Sequence, residues 1–243
     1  MTDAYRPTVV SEDDWRQRNA ELVELEKAHM RAGDELAARR RLQPMHIIDK
    51  DYRFTDVETG EQRSLRELFD GRPQLVLYHF IFGPGWGAGC DGCSMMVDNW
   101  GHRAHLNARG VTRVAVSRAP ADELRAYRDR MGWDIAWYSS FESDFNFDFG
   151  RSARDGGSHN FDRGEDFGLS VFYDDGAAIY RSYFTDQRGL ERFGTNFSFL
   201  DVAPYGRQET WEASPAGVPQ SASYQWWRRH DEYDAVEKPG RCH

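Results

Sequence analysis

The sequence predicts an α/β fold in which a sheet is flanked by helices. Three observations point there. The run Gln74–Phe82, QLVLYHFIF, is almost continuously apolar, as in a strand buried on both faces. Val111–Val116 is a second, β-branched strand, and Ser94–Ala108 between them can form a helix that Gly110 caps. Further on, Leu169–Tyr173 and Ala178–Phe184 flank Asp174-Asp175-Gly176, a hairpin signal.

In chain order, Ser11 precedes an acidic first turn, Glu12-Asp13-Asp14. Trp15, Leu22, Leu25, Met30 and Leu36 then recur at roughly helical spacing, so residues 11–41 read as one or two amphipathic helices. Gly33 is the candidate break and Pro44 the stop. The basic run Arg39-Arg40-Arg41 suits a helix C-terminus. Residues 1–44 form a helical extension expected to pack on the main domain or on a second copy of the chain, which leaves a homo-oligomer open.

The main domain is expected over residues 45–200. It begins with a strand at Tyr52–Val57, a turn at Thr59-Gly60 and a short helix at Ser64–Phe69. The buried strand Gln74–Phe82 follows and runs into the glycine-rich loop Gly83–Gly89, directly before Cys90. Pro120 sits near the start of the helix Ala121–Met131, which Gly132 closes. Trp133–Ser140 and Phe141–Phe149 show no clear period, and Arg151–Gly168 reads as a long surface loop. Residues 201–243, with Pro204, Pro215 and Pro219, form a C-terminal extension. Its aromatic segment Tyr224–Tyr233 carries too much apolar area to leave in water and is expected to dock on the domain.

The 243 residues carry 31 Lys and Arg against 40 Asp and Glu, a formal charge of -9. Such a field repels nucleic-acid phosphate and anionic lipid, so neither is an expected partner. The basic and aromatic Trp226-Trp227-Arg228-Arg229-His230 is therefore read as a docking segment rather than a base-stacking one. Met1–Val10 lacks the apolar core of a signal peptide, no stretch of about 18 apolar residues occurs, and a cytoplasmic protein is expected. Three cysteines are too few for a secreted disulfide scaffold, which draws attention to the close pair Cys90 and Cys93.

Two thiols three positions apart lie about one helical turn from each other once the second has entered the helix, so they can form a disulfide. The first faces the helix N-terminus, where unpaired N–H groups favour thiolate and lower a thiol pKa to about 3.5–7.5 from about 8.5. Cys90 is thus the expected nucleophile and Cys93 the resolving thiol of a thiol-disulfide oxidoreductase that needs no cofactor. Its substrate would be a thiol or disulfide, on a protein or a small molecule.

The alternative is a metal-binding or metal-delivery protein holding copper or zinc on the same cysteines. Zinc requires further ligands, and neither Cys242 nor a histidine pair completes a familiar pattern. For copper, His159 in the long loop is the first candidate third ligand. A third reading is a structural relative that keeps the thiols without using them.

The order strand, CxxC, helix, strand, helix and late hairpin is similar to that of the thioredoxin and peroxiredoxin superfamily. Several segments resemble the DUF899 family of thioredoxin-like proteins more specifically. They are Tyr78-His79-Phe80 with Phe82-Gly83-Pro84, Cys90–Cys93, Val116–Pro120, Arg130–Trp133, Ser140 through Asp144-Phe145-Asn146 to Gly150, Gly168–Phe172 and Arg229–Tyr233. They span most of the chain, and the resemblance implies a thioredoxin-like fold with a dithiol site. Two departures stand out. Thioredoxins place Trp before the first Cys and a cis-proline before the late hairpin, where this chain has Gly89 and Gly168. Peroxiredoxins carry Pro and Thr or Ser at the positions of Gly83 and Gly87, so ordinary peroxidase chemistry is not expected.

Around the dithiol, Trp86 and Gly168 are the expected substrate-binding residues, Trp86 because the flanking glycines let its loop approach closely. His79, inside the buried strand, reads as a satisfied core histidine. Asp98, His102 and His105 share the exposed face of the helix expected there.

Overall fold

The structure is a computed structural model and describes residues 5–154 and 162–235. Its strands are β1 (His46–Ile48), β2 (Arg53–Asp56), β3 (Gln62–Ser64), β4 (Gln74–His79), β5 (Val111–Ser117), β6 (Trp137–Ser139), β7 (Gly168–Asp174) and β8 (Ile179–Thr185). Among the described residues they form one sheet in the order β1-β8-β7-β4-β5-β6-β2-β3. Parallel pairing of β4 with β5 and antiparallel pairing with β7 place β4 at the centre. The helices are α1 (Glu12–Arg41), α2 (Asp91–Asp98), α3 (Ala104–Asn107), α4 (Ala121–Arg130), α5 (Phe145–Asp148) and α6 (Thr195–Val202). The succession β4, dithiol, α2, β5, α4 and the β7–β8 hairpin makes the fold thioredoxin-like.

Side chains alternate across β4, and each set enters a different core. Leu75 and Leu77 pack with Phe54, Leu68, Val114, Phe145 and Phe172 on one face. Tyr78 and Phe80 pack with Cys93, Met96, Tyr127 and Trp137 on the other. Beyond His79 the ladder stops but burial continues, because Phe80 N–H donates to Val116 O at 2.9 Å and Ala119 N–H donates to Phe82 O at 2.8 Å. The strand expected over Gln74–Phe82 is thus three residues shorter, with an irregular buried extension leading to the thiols.

Several elements settle an open expectation or differ from one. Residues 12–41 are one unbroken helix, started by Ser11, whose hydroxyl accepts the Asp14 N–H at 3.1 Å, and Gly33 does not interrupt it. No residue of α1 is buried, and Trp15, Leu22, Leu25, Met30 and Leu36 are all exposed. The helix expected over Ser64–Phe69 is the end of β3 followed by one 3-10 turn, Glu67–Phe69. The helix expected over Ser94–Ala108 is α2 and α3 with a break at Asn99, whose side chain donates to Met95 O at 2.7 Å and accepts the Asn196 N–H at 2.8 Å. Asp98, His102 and His105 therefore do not share a helix face; Asp98 instead accepts from Trp133 Nε1 at 2.7 Å.

The aperiodic aromatic stretch contains β6, which joins β5 to β2, and then α5. The ends of the loop Arg151–Gly168 are not surface: Ser152, Glu165 and Asp166 are buried, and Arg118 Nε reaches Glu165 at 2.7 Å. None of the helices among the described residues is long and apolar enough to cross a membrane.

Candidate active site

Cys90 is the N-cap residue of α2 and Cys93 lies one turn inside it. Cys90 N–H donates to Ile81 O at 3.1 Å, and its carbonyl accepts both Ser94 N–H at 2.9 Å and Ser94 Oγ at 2.7 Å. The first thiol is thereby fixed at the end of the buried extension of β4. Cys90 is half-buried and Cys93 is buried, and both are free thiols.

This difference in placement sets their chemistry apart. The Cys93 thiol donates toward Cys90 and favours its anion, burial works against that anion, and the N–H groups of Cys93 and Gly92 point toward the sulfur without closing a full capping bond. The balance lowers the Cys90 pKa from 9.0 to about 7. Burial and the neighbouring Cys90 push Cys93 well above the usual thiol range. Two weak donors temper that rise: the Tyr78 hydroxyl and Ile81 N–H, the latter 3.5 Å from Cys93 Sγ.

The C-terminal segment closes over this turn. Gly92, between the cysteines, lies so near the Trp227 ring that a Cβ there would collide with it. Gly89 likewise has the rings of Phe80 and Tyr127 where a side chain would stand, which explains why no tryptophan can precede Cys90 in this packing. Arg229 places Nη2 2.5 Å from Gly89 O and 2.9 Å from Asp91 Oδ1, and its Nε reaches Tyr127 Oη at 3.1 Å. Tyr127 Oη is also 2.8 Å from Ser94 Oγ. The buried carboxylate of Glu209 anchors the segment by accepting Trp211 Nε1, Trp226 Nε1 and Tyr224 N–H at 2.6, 2.8 and 3.1 Å.

Beside the thiols is a cavity of about 340 Å³ bordered by Cys90, Cys93 and Tyr78 and walled mainly by Met96, Phe167, Leu190, Phe197 and Trp227. Sequence reasoning identified the two cysteines but not Tyr78, Tyr127, Trp227 or Arg229 as parts of this site. Alternation from the buried Leu77 would have turned Tyr78 toward the opposite face. The tail residues carry no local signal for a contact nearly 140 positions away.

Residues 4–233 match the family described as "Bacterial protein of unknown function (DUF899)". The chain belongs to the DUF899 family. No curated protein matches it. Among solved structures it is similar to peroxidoxin BcpB from Mycobacterium tuberculosis, at 16% identity, a TM-score of 0.44 and coverage of 63% of this chain and 92% of that one. It is also similar to a mutant form of PrxQ from Xylella fastidiosa, at 12% identity, a TM-score of 0.43 and coverage of 64% and 97%. A third is BsSco, a member of the Sco family of cytochrome c oxidase assembly proteins, at 10% identity, a TM-score of 0.38 and coverage of 63% and 92%.

In this DUF899 chain the remaining sequence candidates fall outside the cavity wall. Trp86 packs against Gly83 and lies under the Arg163 guanidinium, 4.3 Å from its ring centroid. Gly168 pairs with His79 in the sheet and is crowded by the Phe184 ring, while its neighbour Phe167 does line the cavity. His79 is fully buried in the core with Nε2 2.9 Å from Ser170 Oγ, but among the described residues its Nδ1 has no hydrogen-bond partner, so it is only half satisfied. Among the described residues no group of three or more His, Cys, Asp and Glu side chains is placed to hold a metal ion. His159 and Cys242 lie outside the described residues.

Proposed function

We propose that the protein is a thiol-disulfide oxidoreductase in which Cys90 attacks and Cys93 resolves. The observation that carries this reading is the asymmetry of the pair: one half-buried thiol whose anion is favoured at a helix start, and one buried thiol, one turn away, whose proton is held. With a pKa of about 7, Cys90 is about half thiolate at neutral pH, against a few per cent for a free cysteine. The Cys90 thiolate attacks a substrate disulfide R–S–S–R, forming Cys90–S–S–R and releasing RS⁻. Deprotonated Cys93 then attacks the Cys90 sulfur, releasing the second RS⁻ and leaving the Cys90–Cys93 disulfide. Each released thiolate takes up a proton, and external thiols return the pair to the dithiol form.

The test is a trapping experiment. Cys93→Ser should accumulate a mixed disulfide on Cys90 when an oxidised substrate is offered, and Cys90→Ser should form none. Adducts of equal yield on the two variants contradict the assignment of roles.

A further inference from the structure

The C-terminal segment covers the dithiol turn, and the cavity lies beside it. Trp227 packs on Gly92 and Arg229 holds the Gly89 carbonyl and Asp91, so the backbone on either side of Cys90 is already in contact with this chain's own tail. A loop of a folded protein needs that surface free to lay its disulfide against Cys90. Among the described residues the cavity stays open, and its volume of about 340 Å³ falls within the range of small-molecule sites, roughly 300–1,000 Å³. Its walls are mostly apolar, and its two carboxylates are already engaged, Asp91 by Arg229 at 2.9 Å and Glu191 by Arg207 at 2.7 Å. A charged arm would lose its hydration against these walls, while alkyl or aromatic arms gain from leaving water.

We propose, resting on the redox reading above, that the substrate of this dithiol is a low-molecular-weight disulfide with an uncharged apolar arm, which lies against Met96, Phe167, Leu190, Phe197 and Trp227 and presents its sulfur to Cys90. The bonds made and broken are those of the exchange above. Both electrons come from the Cys90–Cys93 pair, and the small disulfide leaves as two thiols.

The full-length reduced protein is mixed, without oxygen, with diethyl, dipropyl and dibutyl disulfide, with oxidised glutathione and with insulin, and oxidation of the pair is followed by mass spectrometry. Second-order rates should rise about four-fold per methylene added to the bound arm, the factor set by ~0.8 kcal/mol per buried CH₂. Oxidised glutathione and insulin should be slower than dibutyl disulfide by a factor on the order of ten or more. Leu190→Phe, which narrows the cavity, should flatten the chain-length dependence while diethyl disulfide still reacts. In parallel, binding of unreactive dibutyl sulfide is measured by calorimetry. One rate for every alkyl chain, or fastest oxidation by insulin or glutathione, overturns the inference and leaves the dithiol chemistry standing. Oxidation by none of the disulfides overturns the dithiol chemistry; binding of dibutyl sulfide then still upholds the cavity as an apolar-ligand site, and its failure overturns that as well.

Discussion

Tyr78 and His79 are neighbours on β4, both buried, and the sheet turns them to opposite faces. Tyr78 faces the dithiol, borders the cavity and acts on Cys93 through its hydroxyl. His79 stacks on Phe145, with ring centroids 5.6 Å apart and planes 16° apart, inside a core of Leu75, Leu77 and Phe172. One face is closed by side chains of the central domain. The other is closed by an irregular tail and keeps a cavity. The contrast teaches that reactivity and stability are divided between the faces of one sheet, so each should respond separately to substitution.

The largest stability effect belongs to the His79 face. Phe145→Ala, at a fully buried ring, should cost about 3–5 kcal/mol in denaturant unfolding. The alkylation rate of Cys90 in the folded protein should stay within about two-fold of wild type, as expected of distant sites. A large change in thiol reactivity would break the division. Next is Arg229→Ala on the dithiol face, which strips the Gly89 carbonyl and Asp91 of their partner. It should cost about 1–3 kcal/mol and also speed Cys90 alkylation, because the tail is loosened. Lost stability without faster alkylation would mean that the tail does not shield the thiol.

His79 supplies a pH test of comparable or smaller size. Burial, helped by Arg151 and Arg181, lowers its pKa well below 6.5, so the unfolded chain binds a proton that the folded one refuses. Stability from this group is present above pH 6.5 and falls by about 1.4 kcal/mol per pH unit below it, until the folded-state pKa is reached. His79→Gln should remove that part of the slope. Parallel slopes for the two proteins would show that His79 is not held neutral. The smallest effect is expected from Tyr78→Phe, on the order of 1 kcal/mol. Loss of its hydroxyl should raise the Cys93 pKa further and lengthen the life of the mixed disulfide, while Cys90 alkylation is unaffected.

The parts legible in the sequence are those set by local chemistry. The centre of β4, the β7–β8 hairpin, the N-terminus of α1 and the position of the dithiol before a helix follow from periodicity, turn residues and capping. Three-residue strands such as β6 are too short to show a period, and they exist because β5 and β2 supply partners on both sides. The break after α2 depends on Asn99 bonding to Asn196, a contact far away in sequence. The tail was legible as apolar area seeking cover, but not as the wall of the site. Its docking rests on Glu209, a carboxylate that burial disfavours but that the side-chain N–H of Trp211, the Tyr224 N–H and the side-chain N–H of Trp226 keep below its usual pKa. The exposed α1 shows the converse: a regular helix with a readable apolar spacing, none of whose residues is fully buried among the described residues.

The asymmetry of the two thiols is tested most directly by their separate alkylation rates as a function of pH, resolved by peptide mass spectrometry on the reduced protein. Cys90 should gain reactivity through neutral pH and level off above a midpoint of about 7, while Cys93 stays unreactive until well beyond 9.0. Two thiols that titrate together at the ordinary alkaline value, with no disulfide between them after oxidation, would contradict the account.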